Sequence, residues 1–344
     1  MRIIVTGGSG RLGQSVVRGL SDLGHDVLSV DRIAVDGLPA RQLTIDLLDH
    51  TATTTLMADE RPDAVVHLAA IAVPFSAPEA TILATNSALT FNVLDAASAA
   101  GAGRVLAASS PTVIGYGSPS TWEPRYLPLD EAHPTRPWNA YALSKLGIEN
   151  TVAMFARQRG ESTRFGSFRP CFVISPEEWD GAMTQQGHTV VERLNDPALA
   201  AVSLFNYLDA RDAAAFVACW LENAHQADNG EVFFVGAADA LATRPVAELL
   251  PDYLPGCDAT GLTGTLPAFS SAHAERVLGW RPARSWRTEL SPSQAALLHR
   301  PGTAGSDTAG SDSAAPDTAE STSGAPHSST AVSAASVSTE VRAS

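Results

Sequence analysis

Apolar positions along this chain change rhythm repeatedly. Short, nearly unbroken apolar runs at Arg2 to Thr6, Asp26 to Val30, Ala64 to Ala70 and Arg104 to Ala108 read as buried strands. Between them, large apolar residues return every three or four positions, as with Leu12, Val16, Val17, Leu20 and Leu23, the spacing of one helix face. Further helices are expected from about Leu48, from about Pro78 to Ala100, and from near Trp138. Strands alternating with helices predict an α/β fold, a Rossmann-type doubly wound parallel sheet with right-handed crossovers. Residues 1–175 are expected to form one domain built on this sheet, and 176–300 a smaller C-terminal lobe with some segments returning to the sheet. From Pro301 to Ser344 large apolar residues almost vanish and TAGSD is repeated. That segment has too little surface to bury and is expected to be a disordered tail.

The turn after the first strand reads Gly7-Gly8-Ser9-Gly10-Arg11-Leu12-Gly13. Placed between a strand and a helix, such a turn points to a dinucleotide: Gly7 for the tight turn, Gly10 for close approach to a pyrophosphate, Gly13 for packing helix on strand. The helix start at Arg11, Leu12 and Gly13 offers unpaired N–H groups and partial positive charge to the phosphates. The second strand ends at Asp31, whose carboxylate suits ribose hydroxyls and repels a 2′-phosphate, so NAD is favoured over NADP; Arg32 beside it softens that preference. Two roles fit Asp46, ahead of Leu47: a partner for the adenine amino group, or the N-cap of the helix from about Leu48. Leu68, Ala69 and Ala70 form the carboxyl end of a central strand, where small residues let a cofactor lie close. His67, in mid-strand, reads as a hydrogen-bonded core histidine.

Charge narrows the partners. The formal net charge is −14, of which the tail holds −4 from five acids and one arginine. An acidic body with no basic cluster argues against nucleic acid and anionic membranes. Cys171, Cys219 and Cys257 lack metal spacing, so no metal is expected and the thiols read as inert in a reducing compartment. The sequence opens directly on a strand, and no apolar run reaches the ~18 residues of a membrane span. A cytoplasmic protein is the expectation.

One residue stands out from this composition. Lys145 is the only lysine, and it follows Tyr141 by four positions, on the same helix face. With five tyrosines in the chain, that spacing would arise by chance about once in 70. A lysine is a compact point charge where arginine is a bulky fork, so its retention suggests a site that needs a slim ammonium beside a phenol.

TGGSGRLG (6–13), Asp31, DLLD (46–49), HLAA (67–70), Asn86, SSPTVIG (109–115) and YALSK (141–145) together resemble the extended short-chain dehydrogenase/reductase superfamily, and within it the NAD-dependent epimerase/dehydratase family. The resemblance implies that Tyr141 exchanges a proton with a substrate hydroxyl while hydride moves between substrate carbon and nicotinamide. It implies that Lys145 lowers the phenol's pKa and holds the nicotinamide ribose, that Ser110 hydrogen-bonds the substrate oxygen, and that Asn86 and Ala69 line the cofactor. A free tyrosine titrates near ~10, too high for a base at neutral pH without such help.

Departures from the family pattern shape the expected activity. Pro111-Thr112 replaces the Asp-Glu pair of sugar dehydratases, Phe172 replaces an asparagine that approaches a nucleotide diphosphate, and Ile114 replaces a tyrosine. IGYGSP (114–119) leans toward the uronate dehydrogenase-like branch, in which Arg169 would meet a substrate carboxylate; a structural ion pair below the sheet fits Arg169 equally well. Asp212, ahead of AAAFVACWLE, reads as an N-cap. The leading expectation is an NAD-dependent dehydrogenase of a sugar or sugar acid. Alternatives are a nucleotide-sugar 4-epimerase that retains its NAD, and a non-catalytic dinucleotide sensor. The substrate would be a small carbohydrate, and relatives suggest a homodimer formed through the helices at about 79–100 and 139–160.

Overall fold

The computed structural model describes residues 1–119 and 122–298; the expected disordered tail, 301–344, lies outside the described residues. Its centre is a seven-stranded sheet in which every neighbouring pair is parallel. In chain order the strands are β1 (Arg2–Thr6), β2 (Asp26–Asp31), β3 (Arg41–Thr44), β4 (Ala64–His67), β5 (Arg104–Ala108) and β6 (Arg164–Pro170). The short β7 (Val173–Ile174) and β8 (Leu208–Asp209) pair with each other, and β9 (Glu231–Val235) closes the large sheet. The spatial order is β3-β2-β1-β4-β5-β6-β9, so the chain reverses direction beside β1, between β1 and β4. At such a switch point a crevice opens beyond the carboxyl ends of the strands.

Period-two alternation sends neighbouring strand residues to opposite faces. Ile3, Val5, Val27, Val66 and Leu106 pack into one core with α1 (Arg11–Asp22), while Ile4, Leu28, Val65 and Val105 pack into a second. The second core is covered by α2 (His50–Glu60), α3 (Glu79–Ala99) and α4 (Ala140–Arg159), through Leu56, Leu89, Val93, Ile148 and Phe155. Two short helices, α5 (Val190–Asn195) and α6 (Pro197–Ala201), precede α7 (Ala210–Asn223), which returns to the large sheet and packs beside α1. A third, smaller core gathers Ile174, Trp179, Val190, Leu194, Tyr207 and Trp286.

Two expected helix caps move. Asp49, not Asp46, caps α2 by accepting from Ala52 N at 3.0 Å, because the helix starts at His50 rather than near Leu48. Asp209, not Asp212, caps α7. Asp212 lies one turn in and is buried, where it accepts from Ala283 N, Arg284 N and the Arg284 guanidinium, clasping a distant segment to α7. Among the described residues no His, Cys, Asp and Glu side chains gather as a metal site. No described helix is long and apolar enough to cross a membrane.

Candidate active site

The carboxyl ends of β1, β2, β4 and β5 open into a cleft of about 770 Å3. Its first wall is the glycine turn. Gly7 sits at φ +73°, and a Cβ there would come within 2.6 Å of Ala69 N, so only glycine lets β1 and the end of β4 approach. A Cβ on Gly13 would lie 2.0 Å from the Gly7 carbonyl oxygen, so α1 can start against the turn only without a side chain there. Gly10 is the N-cap of α1 and no side chain caps that helix, which leaves the N–H groups at its start pointing at the cleft. This cradle of bare backbone donors fits a pyrophosphate. The Arg11 guanidinium pairs with the buried carboxylate of Glu178, so Arg11 offers its backbone, not its charge, to the cleft floor.

Asp31 ends β2 in the same cleft and accepts from Ser9 N at 3.1 Å and Arg32 N at 2.7 Å. Asp46 lines it too, held by a bond from Leu48 N at 3.0 Å, alongside Leu47, Leu68, Ala69 and Ala70. Asn86 does not reach the cleft, a correction to its expected role. Its carboxamide is fully buried and bonds both Ile71 N (2.8 Å) and Ile71 O (3.2 Å) and the Ser144 hydroxyl (2.9 Å). Ser144 in turn donates to Tyr141 O at 2.7 Å, so Asn86 ties the loop after β4 to the first turn of α4. His67 is the expected core histidine: it is buried, bonded to the Thr6 hydroxyl at 2.8 Å, and kept neutral by burial and then by the Lys145 charge, which push it down to about 3.

The other wall carries the acid–base candidates. Asn139 caps α4 by accepting from Ala142 N at 2.8 Å, and the first turns then present Tyr141 and Lys145 to the cleft. The Lys145 ammonium lies 5.6 Å from the Tyr141 ring centre and donates to Ala108 O, at the end of β5, at 3.0 Å. Ser110 lies two residues beyond the end of β5. Its hydroxyl accepts from Thr112 Oγ1 at 2.9 Å, and its closeness to the Tyr141 phenol favours the phenolate. Neighbouring Ser109 donates to Glu149 at 2.6 Å and locks β5 to α4. The electrostatics differ from the expectation that the ammonium lowers the phenol. Tyr141 and Lys145 are 8% and 4% exposed. Burial disfavours both charged forms, pushing the phenol up to about 12 and the ammonium down to about 8.

Arg169 is also corrected. It is buried behind the cleft, where its Nε and Nη2 donate to the two Glu149 carboxylate oxygens at 2.7 and 2.8 Å and its guanidinium sits 4.9 Å from the Phe234 ring. Its Nε–Nη2 edge is taken by Glu149 and the residue does not line the cleft, so it is not placed to meet a substrate, although its Nη1 finds no partner among the described residues. Arg169→Met should therefore destabilise by about 3–5 kcal/mol in urea unfolding, because it leaves Glu149 charged and unpaired. Substrate KM should stay within about twofold, the size of change expected when no binding contact is lost.

Of the remaining lining, the sequence marked Phe172 and, within IGYGSP, Tyr116; no local motif marks the rest. Phe75, Tyr116, Trp138, Phe172, Gln186 and Ser203 line the far end of the cleft. The charged residues that line the cleft, Arg11, Asp31, Arg32, Asp46 and Lys145, all belong to the dinucleotide side or the acid–base pair.

Comparison with known proteins places this geometry. The chain is similar to the UDP-glucose 4-epimerase of Corynebacterium glutamicum, 24% identical over 308 residues that cover 82% of this chain and 91% of that protein. It is similar to the 2′-dehydrokanamycin reductase of Streptomyces kanamyceticus, 32% identical over 157 residues, 44% of this chain and 38% of that one. Among solved structures, a short-chain dehydrogenase/reductase superfamily protein from Agrobacterium tumefaciens with bound NAD superposes with a TM-score of 0.64 at 24% identity, covering 86% of this chain and 97% of that one. The model of the NAD dependent epimerase/dehydratase family matches residues 3–236, from β1 to just past β9. With that match spanning the glycine turn, the Tyr141–Lys145 pair and the whole parallel sheet, the chain belongs to the NAD dependent epimerase/dehydratase family.

Proposed function

We propose that this protein is a dehydrogenase that oxidises a hydroxyl-bearing carbon of a sugar or sugar acid with NAD, Tyr141 taking the hydroxyl proton. The observation that carries this reading is the far end of the cleft: beyond Ser110, Tyr141 and Lys145 its lining holds aromatic, amide and hydroxyl groups and, among the described residues, no cation for a diphosphate. Phe172 supports it, since a phenyl ring cannot donate to a phosphate.

The family makes the cofactor an NAD-type dinucleotide. The N–H groups at the start of α1 would hold its pyrophosphate, Asp31 its adenosine ribose, and Lys145 the ribose next to the nicotinamide. When bound, the oxidised dinucleotide supplies the hydride acceptor and a positively charged ring. Ser110 and Tyr141 orient the substrate hydroxyl between them. As hydride leaves the substrate carbon, the hydroxyl proton passes to the phenolate of Tyr141, and a carbonyl remains. Lys145 holds positive charge beside that phenolate, and the apolar walls exclude bulk water.

Asp31 decides the dinucleotide in this reading. Its carboxylate is already fixed by two backbone donors, so it cannot turn away from a 2′-phosphate. NADH is expected to bind on the order of tenfold or more tighter than NADPH, and Asp31→Ser to narrow that gap; fluorescence titration of both nucleotides checks it.

A second reading, a nucleotide-sugar 4-epimerase with retained NAD, is favoured by one observation: relatives that cover most of the chain carry that activity. Purified protein separates the two. Net NADH formation with free sugars or uronates supports the dehydrogenase. Tightly held NAD, no net NADH, and isomerised UDP-sugars would establish the epimerase instead. We further infer a homodimer through α3 and α4, whose outer faces expose Phe91, Leu143 and Met154.

A further inference from the structure

Arg193, in α5, is among the largest fully buried side chains of the protein, with 0% of its surface exposed. Buried cations are normally matched by an acid, as Arg169 is by Glu149. Arg193 is not. Its guanidinium lies 4.1 Å from the Phe172 ring, its Nη2 donates to the Ser203 hydroxyl at 3.1 Å, its Nη1 donates to the Gln186 carboxamide, and its Nε finds no acceptor. Burial pushes it down to about 10, and no acid among the described residues raises it again.

Three of these neighbours face the cleft. Phe172, Gln186 and Ser203 all line its far end, so the unmatched charge lies one side chain behind the wall. Gln186 is the cover. It is solvent-exposed, next to Gly187 at φ +80°, in a short turn closed by a bond from Thr184 N to His188 O at 2.9 Å. Swinging Gln186 aside would bring a ligand to the guanidinium edge.

We propose that Arg193 is the carboxylate-recognition residue of this cleft: a sugar-acid substrate displaces the Gln186 carboxamide and sets its carboxylate against the guanidinium. A single guanidinium, with no second cation among the described residues lining this end, matches one planar carboxylate better than a diphosphate, whose greater charge needs several donors. Phe172, stacked on the guanidinium, holds its plane fixed for two parallel hydrogen bonds. The role expected of Arg169 thus falls to an arginine that no sequence motif marks.

This inference rests on the sugar-oxidising reading for its substrate class, but its test does not depend on turnover. The probe is isothermal calorimetry of NAD-saturated Tyr141→Phe protein with galacturonate, glucuronate, galactose, glucose and UDP-galactose. At least one hexuronate is expected to bind on the order of tenfold tighter than its neutral sugar. Arg193→Gln should abolish that preference. Gln186→Glu changes only an exposed position, leaves the core intact, and should abolish it too by supplying an internal carboxylate. Equal affinity for acid and neutral sugar, no uronate binding, or a uronate preference surviving in either variant would overturn the assignment. So would a preference for UDP-galactose that Arg193→Gln removes. Uronate binding through Arg193 without NADH formation by the parent protein would sink the dehydrogenase reading and leave this one standing.

Discussion

Tyr141→Phe is expected to lower kcat/KM for sugar oxidation by about 10³-fold while leaving NAD affinity within about twofold. In the proposed reaction the phenol oxygen takes the substrate proton, whereas the cofactor cradle is built of backbone around Gly7 to Gly13. The variant removes a single buried oxygen whose partner, Ser110, keeps its bond from Thr112, so the fold should hold. A pH profile tests the same chemistry. Tyr141 and Lys145 titrate as a pair, and the first proton leaves near pH 8, the value to which burial brings the lysine. Oxidation needs the pair deprotonated, so kcat/KM should rise through about pH 8 in the parent. In Lys145→Met only the phenol is left, and the rise should move toward about 12. Stability gives the control. A lysine lowered from 10.5 to about 8 costs the fold stability below about pH 8, a cost that fades as the pH rises to 10.5. Lys145→Met should therefore unfold no earlier than the parent at neutral pH, and a loss of activity there is a loss of chemistry. A Tyr141→Phe protein that keeps full kcat/KM would remove the acid–base assignment altogether.

Gly13→Ala carries the second large effect. The added Cβ would meet the Gly7 carbonyl oxygen at 2.0 Å and the Gly8 Cα at 2.8 Å. Both are backbone atoms, so no rotamer change relieves the overlap and α1 must move off the turn. A loss on the order of 3 kcal/mol is expected, with a fall in Tm of several degrees. NAD binding should weaken by at least about tenfold, because displacing the start of α1 takes its N–H groups away from the pyrophosphate position. The matched control is Gly147→Ala in α4, where nothing lies within 4 Å of the new Cβ. That change should stabilise by about 0.5–1 kcal/mol through backbone entropy alone. If the two variants melt alike, the steric account of the glycine turn is wrong.

The parallel sheet, its flanking helices and the cleft beyond the strand ends were legible in the sequence, because each depends on local features. Alternation sorts Ile3 and Val5 from Ile4 before any tertiary contact exists. A glycine turn between a strand and a helix, and a phenol four residues before an ammonium on one helix face, are set by neighbours in the chain. These determined the fold class, the dinucleotide cradle and the placing of Tyr141 beside Lys145.

Which charges meet which partners was decided only in three dimensions. Arg169 and Arg193 look alike in the sequence, yet Arg169 is spent on Glu149 and Arg193 meets no acid among the described residues. Asn86 is turned from a cofactor contact into a tie between the β4 loop and α4, and Asp212 from a cap into a clasp on residue 284. Burial reverses the simple expectation for Tyr141, raising the phenol despite the ammonium nearby. The physical reason is the same throughout: periodicity and turn chemistry act over a few residues, whereas desolvation and ion pairing depend on groups 20 to 72 positions away that only the folded chain brings together.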